Sequence, residues 1–176
     1  MRVAVVGLGA VGGFLAARLV RGGHRVSALA RGAALAAVRE HGLRLDEAGR
    51  VTAYPIDIAD DAAALGPQEL VIVAVKSPAL AAVAERLAPL LGPDTPVLTA
   101  MNGVPWWFLD GCSGEAQGRT LESVDPGGAI ARAIPAGQVL GSVVHTSCSL
   151  ESPGFVKQHF GNRLIVGEPD GSASTR

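Results

Sequence analysis

Cysteine and aromatic residues are scarce in this chain. Its two cysteines, Cys112 and Cys148, form neither a CxxC pair nor a spacing typical of metal ligands, so we expect reduced thiols and no metal site. Aromatic residues make up 4% of the sequence, whereas alanine and glycine are frequent. This composition favours helices packed closely on a sheet.

An excess of charge and a long apolar run are also absent. The formal net charge is −1 over 176 residues, and no basic stripe points to a nucleic acid partner. No apolar run approaches the ~20 residues of a membrane-spanning helix, and no signal peptide precedes the first strand-like run. With 48% apolar residues, the sequence predicts a globular, cytoplasmic protein with neither a nucleic acid nor a membrane partner.

The first part of the chain has the order strand, glycine turn, helix, strand. The β-branched run Val3–Gly7 is typical of a strand buried on both faces. Apolar residues at helical spacing predict a helix over Ala10–Arg21, which Gly22 and Gly23 end. A second strand is expected over residues 24–30, which completes a βαβ unit.

Strands and helices continue to alternate after this unit. We expect a short helix over Ala33–His41, followed by a hairpin that turns at residues 47–49. The apolar runs Leu70–Val75 and Pro96–Met101 predict two more strands, with a helix over Leu80–Leu91 between them. This alternation indicates an α/β fold with a doubly wound, mostly parallel sheet.

The C-terminal part has a different pattern. Residues 106–135 are irregular and rich in glycine, so we expect a loop or insertion there, with a helix near Ala129. The segments VLGSVVHTSCS and FVKQHFGNRLIVGE predict antiparallel strands, with turns at Pro153-Gly154 and Gly161-Asn162.

The stretch VVGLGAVGG carries the spacing GxGxxG at Gly7, Gly9 and Gly12. In a dinucleotide-binding unit the first glycine permits the tight turn, the second lets the backbone approach the pyrophosphate, and the third lets the helix lie close to the sheet. The helix N-terminus then attracts the phosphates. Because the whole βαβ context is present, we favour this interpretation over a bare turn and assign Gly7, Leu8, Gly9, Ala10, Val11 and Gly12 to cofactor binding.

Arg31 follows the second predicted strand. NAD-binding units place an acidic residue there, about twenty residues past the glycines, to bind the ribose 2′-hydroxyl. This chain has ALARG instead. An arginine can bind a 2′-phosphate bidentately, so the sequence favours NADP(H); the alternative is a solvated surface arginine.

Lys76 and Asn102 follow the two later apolar strands directly. Since ligands of open α/β sheets bind outside the carboxyl ends of the strands, we expect these residues and Arg31 to line one crevice. The alternatives are a surface charge for Lys76 and an Asn-Gly turn for Asn102.

No Ser/His/Asp or paired-carboxylate arrangement stands out in the sequence. We expect His145 and His159 to pack or hydrogen-bond rather than catalyse. The rings of Trp106, Trp107 and Phe108 either pack in the core under a loop or line a substrate or nicotinamide pocket.

Five segments together resemble the ketopantoate reductase (2-dehydropantoate 2-reductase) family: MRVAVVGLGAVGG, ARG, VAVKS, AMNGV and SPGFVKQHFGNRLIVGEPDG. The resemblance covers nearly the whole chain except residues 106–138. It implies a Rossmann-like NADP-binding domain and NADPH-dependent reduction of 2-dehydropantoate to pantoate, in pantothenate biosynthesis. It also implies that Arg31 takes the 2′-phosphate, that Lys76, Asn102 and Ser147 contact the cofactor, and that Asn102 orients groups near the substrate.

Two departures from the family limit the prediction. Family enzymes carry a second, helical domain that supplies a catalytic lysine, so we expect a cofactor domain over residues 1–168 and the start of a linker over 169–176. By itself this chain should then be inactive, and its uncovered apolar face could support a homodimer.

The second departure is the PWWF segment, which brings bulky rings near the pocket. These rings leave another 2-oxo acid or ketone open as substrate. A non-catalytic NADP(H)-binding or sensing module is the further alternative.

Overall fold

The computed structural model describes residues 1–174, which form one nine-stranded sheet with four α-helices. The strands are β1 (Arg2–Val6), β2 (Arg25–Leu29), β3 (Leu43–Glu47), β4 (Arg50–Tyr54), β5 (Asp57–Ala59), β6 (Leu70–Val73), β7 (Val97–Thr99), β8 (Val139–Ser152) and β9 (Phe155–Gly167). The helices are α1 (Ala10–Arg21), α2 (Gly32–His41), α3 (Leu80–Ala84) and α4 (Ala129–Ala133).

The sheet order is β4-β3-β9-β8-β7-β6-β1-β2-β5. From β5 to β8 every neighbouring pair is parallel. The long strands β8 and β9 are antiparallel, and the antiparallel hairpin β3–β4 continues the sheet beyond β9. This arrangement confirms the expected α/β fold with a mostly parallel sheet and antiparallel strands toward the C-terminus.

A hydrophobic core lies on each face of the sheet, because alternate residues of the buried strand β1 point to opposite sides. Val3 and Val5 of β1 belong to the core beneath helix α1, whereas Ala4 and Val6 belong to the core beneath α3 and α4. All four residues are at most 1% exposed. The doubly wound arrangement follows directly from the continuous apolar run of this strand.

Several local predictions are confirmed. Helix α1 spans Ala10–Arg21 as its apolar spacing indicated, and a helix begins at Ala129. The first hairpin turns at Ala48-Gly49, where both residues have positive φ. The second turns at Pro153-Gly154, between β8 and β9.

The long helix expected over Leu80–Leu91 is wrong. Only Leu80–Ala84 is α-helical, and a separate 3₁₀ turn spans Ala88–Leu90. Pro89 accounts for the break, because proline has no N–H to donate and disfavours the α conformation of the residue before it.

The turn expected at Gly161-Asn162 is also wrong, because both residues lie inside β9. The register against β8 shifts there, between His145 and Ser147, which marks a β-bulge. Gly161 has φ +75°, and a Cβ on it would lie 2.5 Å from the His145 carbonyl oxygen. A glycine of positive φ serves a bulge as well as a turn, and the sequence does not distinguish the two.

Regular secondary structure ends with β9 at Gly167, and residues 168–174 contain no helix or strand. The last two residues of the expected linker, 175 and 176, lie outside the described residues. A domain boundary at residue 168 therefore stays a prediction. Within residues 1–174 no helix is long and apolar enough to cross a membrane.

Candidate functional site

The site lies at the carboxyl edge of four neighbouring parallel strands, β7, β6, β1 and β2. The chain leaves β1 into the glycine turn, and Arg31 follows β2 after one intervening residue. Lys76 follows β6 and Asn102 follows β7, each after two intervening residues. The structure therefore brings these three side chains to one edge of the sheet.

The glycine turn packs tightly at two of its three glycines. Gly7 has φ +95°, and a Cβ on Gly12 would lie 2.0 Å from the Gly7 carbonyl oxygen. Any side chain at position 12 would therefore push α1 away from the turn. At Gly9, by contrast, no atom lies within 4 Å of a built Cβ. The absent side chain thus leaves open space above the start of α1, which suits the close approach of a ligand.

A cavity of about 500 Å³ opens beside this turn. Gly7 and Leu8 of the glycine turn line it, and so does Arg31. Pro78, Ala82 and Val83, from the 3₁₀ turn after β6 and from α3, provide an apolar wall. A cavity with one apolar wall and one cationic side can hold a flat ring beside an anionic group.

Two charged residues of this cavity were not predicted from the sequence, Asp60 and Arg86. Asp60 comes directly after β5, a strand of three residues that was too short to recognise. Arg86 lies just past the end of α3, in a segment expected to be continuous helix. The pairing of β5 with β2 places Asp60 near Arg31, and a hydrogen bond from Arg86 to the Asp60 carbonyl oxygen holds Arg86 at the same cavity.

A second cavity of about 560 Å³ lies on the Asn102 side of the edge. Its walls are mostly apolar and include Trp107, Phe108 and Val166, and Glu168 adds a carboxyl group. Trp106 is 5% exposed and packs in the core beneath α3 and α4 instead. Trp106 therefore packs in the core, whereas Trp107 and Phe108 line a cavity, and the substrate or nicotinamide pocket expected from these rings stays a prediction.

The Asn102 side chain is held by the backbone of β8. Its Oδ1 accepts a hydrogen bond from the Val144 N–H at 2.9 Å, and its Nδ2 donates to the Val144 carbonyl oxygen at 3.2 Å. These two bonds reproduce a strand pairing just beyond the last residue of β7. They fix the amide at the rim of the second cavity and use one acceptor position and one of its two N–H donors.

Lys76 is exposed and lines neither cavity, so Arg31, Lys76 and Asn102 share an edge of the sheet but not one cavity. Lys76 precedes the 3₁₀ turn Ser77–Ala79, of which Ser77 lines the second cavity and Pro78 the first. Ser147 lies apart from them: it is partly buried at the bulge of β8 and lines neither cavity.

The remaining candidates for nucleophile, base or metal ligand do not form a reactive group. Burial raises the pKa of the Cys148 thiol above its ordinary value, which keeps this thiol protonated at neutral pH. His145 and His159 are exposed, and His159 Nε2 lies 2.9 Å from the Ser149 hydroxyl. Among residues 1–174 no three His, Cys, Asp or Glu side chains are grouped as metal ligands.

The chain is similar to known proteins in sequence and in fold. A curated 2-dehydropantoate 2-reductase from Mesorhizobium japonicum is 42% identical over 177 aligned residues, which are 100% of this chain and 54% of the relative. A solved structure from Ralstonia solanacearum MolK2, assigned as a ketopantoate reductase, is 55% identical with a TM-score of 0.95, over 99% of this chain and 54% of that one. The chain thus spans about half the length of these relatives.

A more distant solved structure shares the fold alone. It is a D-mandelate dehydrogenase in a ternary complex with NADH and anilino(oxo)acetate, 20% identical with a TM-score of 0.74, over 96% of this chain and 48% of that one.

The profile of the family described as ketopantoate reductase PanE/ApbA matches residues 3–106, which include the glycine turn, Arg31, Lys76 and Asn102. By its sequence and its Rossmann-like fold, the chain belongs to the ketopantoate reductase family.

Proposed function

We propose that this chain binds NADP(H) at the carboxyl edge of its sheet and is the cofactor-binding part of an enzyme that reduces 2-dehydropantoate to pantoate. One observation carries the proposal: the glycine turn and Arg31 line the same cavity. Membership of the ketopantoate reductase family supports the reaction. The relatives are about twice as long, so the complete active site is expected to include residues beyond those described here.

The glycine turn fits a dinucleotide pyrophosphate. The open space at Gly9 lets phosphate oxygens approach the free N–H groups at the start of α1, which is twelve residues long and has no side-chain cap. Residues Gly7 to Gly12 would hold the pyrophosphate through these backbone groups. When bound, NADPH supplies the hydride for reduction of a ketone.

Arg31 would select the phosphorylated cofactor. Its side chain is exposed at the cavity, and no carboxylate or carbonyl oxygen among residues 1–174 hydrogen-bonds to its guanidinium. A guanidinium without an internal acceptor keeps all of its N–H groups available for a 2′-phosphate. Lys76, just before the exposed 3₁₀ turn that follows β6, would add a positive charge near the bound cofactor.

The second cavity would receive the 2-oxo acid, with Asn102 orienting groups at its rim. Its apolar walls suit a branched or bulkier side chain, so a 2-oxo acid other than 2-dehydropantoate is the second candidate substrate. The reduced oxygen must also gain a proton. The described lining contains no lysine, arginine or histidine, so we assign the proton donor to the lysine of the helical domain that the family resemblance implies.

Binding without turnover is the expected behaviour of the 176-residue chain. Calorimetry should detect NADPH binding, whereas NADPH oxidation followed by absorbance with 2-dehydropantoate should stay far below about one turnover per second, because the proton donor is missing. Turnover at ordinary enzyme rates would contradict this assignment of the donor. Failure to bind either NADPH or NADH would contradict the proposed cofactor site, and binding by a longer natural chain that also lacks turnover would favour a sensing module.

Self-association through the second cavity is a further expectation. Val104, Phe108 and Val166 on its walls are 59%, 51% and 49% exposed, which is unusual for large apolar side chains grouped at one site. We therefore expect a homodimer at high protein concentration in sedimentation analysis, and Phe108→Ser should weaken it. A monomer at all concentrations would contradict this expectation.

We place the protein in the cytoplasm, where the family's reduced cofactor is available.

A further inference from the structure

Arg86 reaches the first cavity because helix α3 ends early. The helix stops at Ala84, and the chain turns through Arg86 toward the proline-containing 3₁₀ turn Ala88–Leu90. The turn lets the Arg86 side chain extend toward the edge strand β5, where its Nη2 donates a hydrogen bond to the Asp60 carbonyl oxygen. A continuous helix through this segment would have placed residue 86 at another angle about the helix axis.

The anchoring point of Arg86 lies beside Arg31 in the sheet. Strand β5 pairs in parallel with β2, and the Ala30 N–H donates to the Ala59 carbonyl oxygen at 3.0 Å. Asp60 directly follows Ala59, and Arg31 directly follows Ala30. The register of these two short strands therefore brings the guanidinium of Arg86 to the same end of the cavity as Arg31, and both residues line it.

The charges at this end of the cavity favour an anion. Two guanidinium groups and the Asp60 carboxylate give a net charge of about +1 at neutral pH. No ion pair joins Arg31 or Arg86 to a carboxylate within residues 1–174. The bond from Arg86 to a backbone carbonyl oxygen orients its guanidinium but leaves the charge uncompensated, so a bound anion would supply the missing counter-charge.

We propose that Arg86 is a second phosphate-binding arginine, which binds the cofactor 2′-phosphate together with Arg31. This inference rests on the proposed NADP(H) site. A phosphate has three terminal oxygens and can accept from two guanidinium groups at once. The pair would bind a 2′-phosphate more tightly than either arginine alone and would leave NADH, which lacks that phosphate, almost unaffected.

The test compares variants of Arg86 in calorimetric titrations of the chain with NADPH, NADH and adenosine 2′,5′-bisphosphate. Arg86→Gln keeps a polar side chain with an N–H donor but removes the charge, and Arg86→Lys keeps the charge. Arg25→Ala is the matched control, since Arg25 begins β2 at the opposite end of the sheet. Melting temperatures of all variants report whether the fold is kept.

We expect Arg86→Gln to weaken NADPH and the bisphosphate about tenfold or more, to leave NADH within about twofold, and to respond less to added salt than the unmodified chain does. Arg86→Lys should lie between. Unchanged NADPH affinity in Arg86→Gln, or an equal loss for NADPH and NADH, would overturn the role of Arg86. Failure of the unmodified chain to bind NADPH would instead overturn the proposed function itself.

Discussion

Gly12→Ala is expected to lower the melting temperature of the chain by roughly 4–8 °C and to abolish measurable NADPH binding. A Cβ at this position would lie 2.0 Å from the Gly7 carbonyl oxygen and 3.0 Å from the Ala74 side chain. The first contact is with backbone, which cannot rotate away. Helix α1 must therefore move off the sheet and take the glycine turn with it.

Two opposing effects determine the size of this change. Alanine is favoured over glycine inside a helix by about 1 kcal/mol. Overpacking a closely fitted contact costs roughly 1–3 kcal/mol and sometimes more, and a contact of 2.0 Å with backbone is at the severe end. We therefore expect a net loss of about 2 kcal/mol in the free energy of unfolding, measured by thermal or urea denaturation.

Gly9→Ala is the matched control for this prediction. Gly9 has φ −74°, and no atom lies within 4 Å of a built Cβ, so alanine should lower stability by less than about 1 kcal/mol, the difference between glycine and alanine at a helix N-cap. The methyl group would nevertheless occupy the space assigned to the pyrophosphate, so NADPH affinity should fall about tenfold or more. Full stability of Gly12→Ala would contradict the close packing, and wild-type NADPH affinity of Gly9→Ala would contradict the ligand assignment.

Arg31→Ala should reduce the affinity for NADPH about thirtyfold while changing that for NADH less than about twofold. A charge-assisted hydrogen bond contributes roughly 1.5–3 kcal/mol, and about 1.4 kcal/mol corresponds to a tenfold change in affinity. Arg31 is exposed, and within residues 1–174 no bond from its guanidinium supports the fold, so its removal should leave the melting temperature unchanged. Calorimetric titration of both cofactors measures the selectivity directly.

The control for Arg31 is again Arg25→Ala, at the amino end of the same strand. Removing that guanidinium lowers the overall positive charge equally but leaves the cavity intact, so it separates a local contact from the general field of the protein. Equal effects of the two substitutions would show that Arg31 does not contact the phosphate. Equal loss of NADPH and NADH affinity in Arg31→Ala would indicate that Arg31 contacts a part of the cofactor other than the 2′-phosphate, since NADPH and NADH have the rest of the molecule in common.

The βαβ unit was predictable from the sequence because its signals are local and agree with one another. Val3–Gly7, the helical spacing of Ala10–Arg21 and the glycines at positions 7, 9 and 12 each depend on neighbouring residues only. The same reasoning failed over Leu80–Leu91, where the apolar spacing was helical but Pro89 divided the segment. It failed again at Gly161, because glycine favours a bulge and a turn for the same conformational reason.

Some residues of the candidate site could likewise be predicted from the sequence, and others could not. Arg31, Lys76 and Asn102 could be found because each follows a recognisable strand, and parallel strands end at a common edge. Asp60 and Arg86 could not, since their place depends on a three-residue strand and on the angle at which a broken helix ends. The role of Asn102 as a backbone-paired amide likewise depends on Val144, 42 positions away along the chain.

The sequence by itself determined the α/β class, the glycine turn and the arginine at the end of β2, because each follows from short-range pattern and from the chemistry of single side chains. Only the tertiary structure decided that β5 joins the sheet beside β2, that Arg86 comes to lie at the cavity with Arg31, and that Trp106 and Trp107 separate between core and cavity wall. These arrangements depend on pairing and packing between residues distant in the chain. Local sequence patterns do not predict the energies of such contacts.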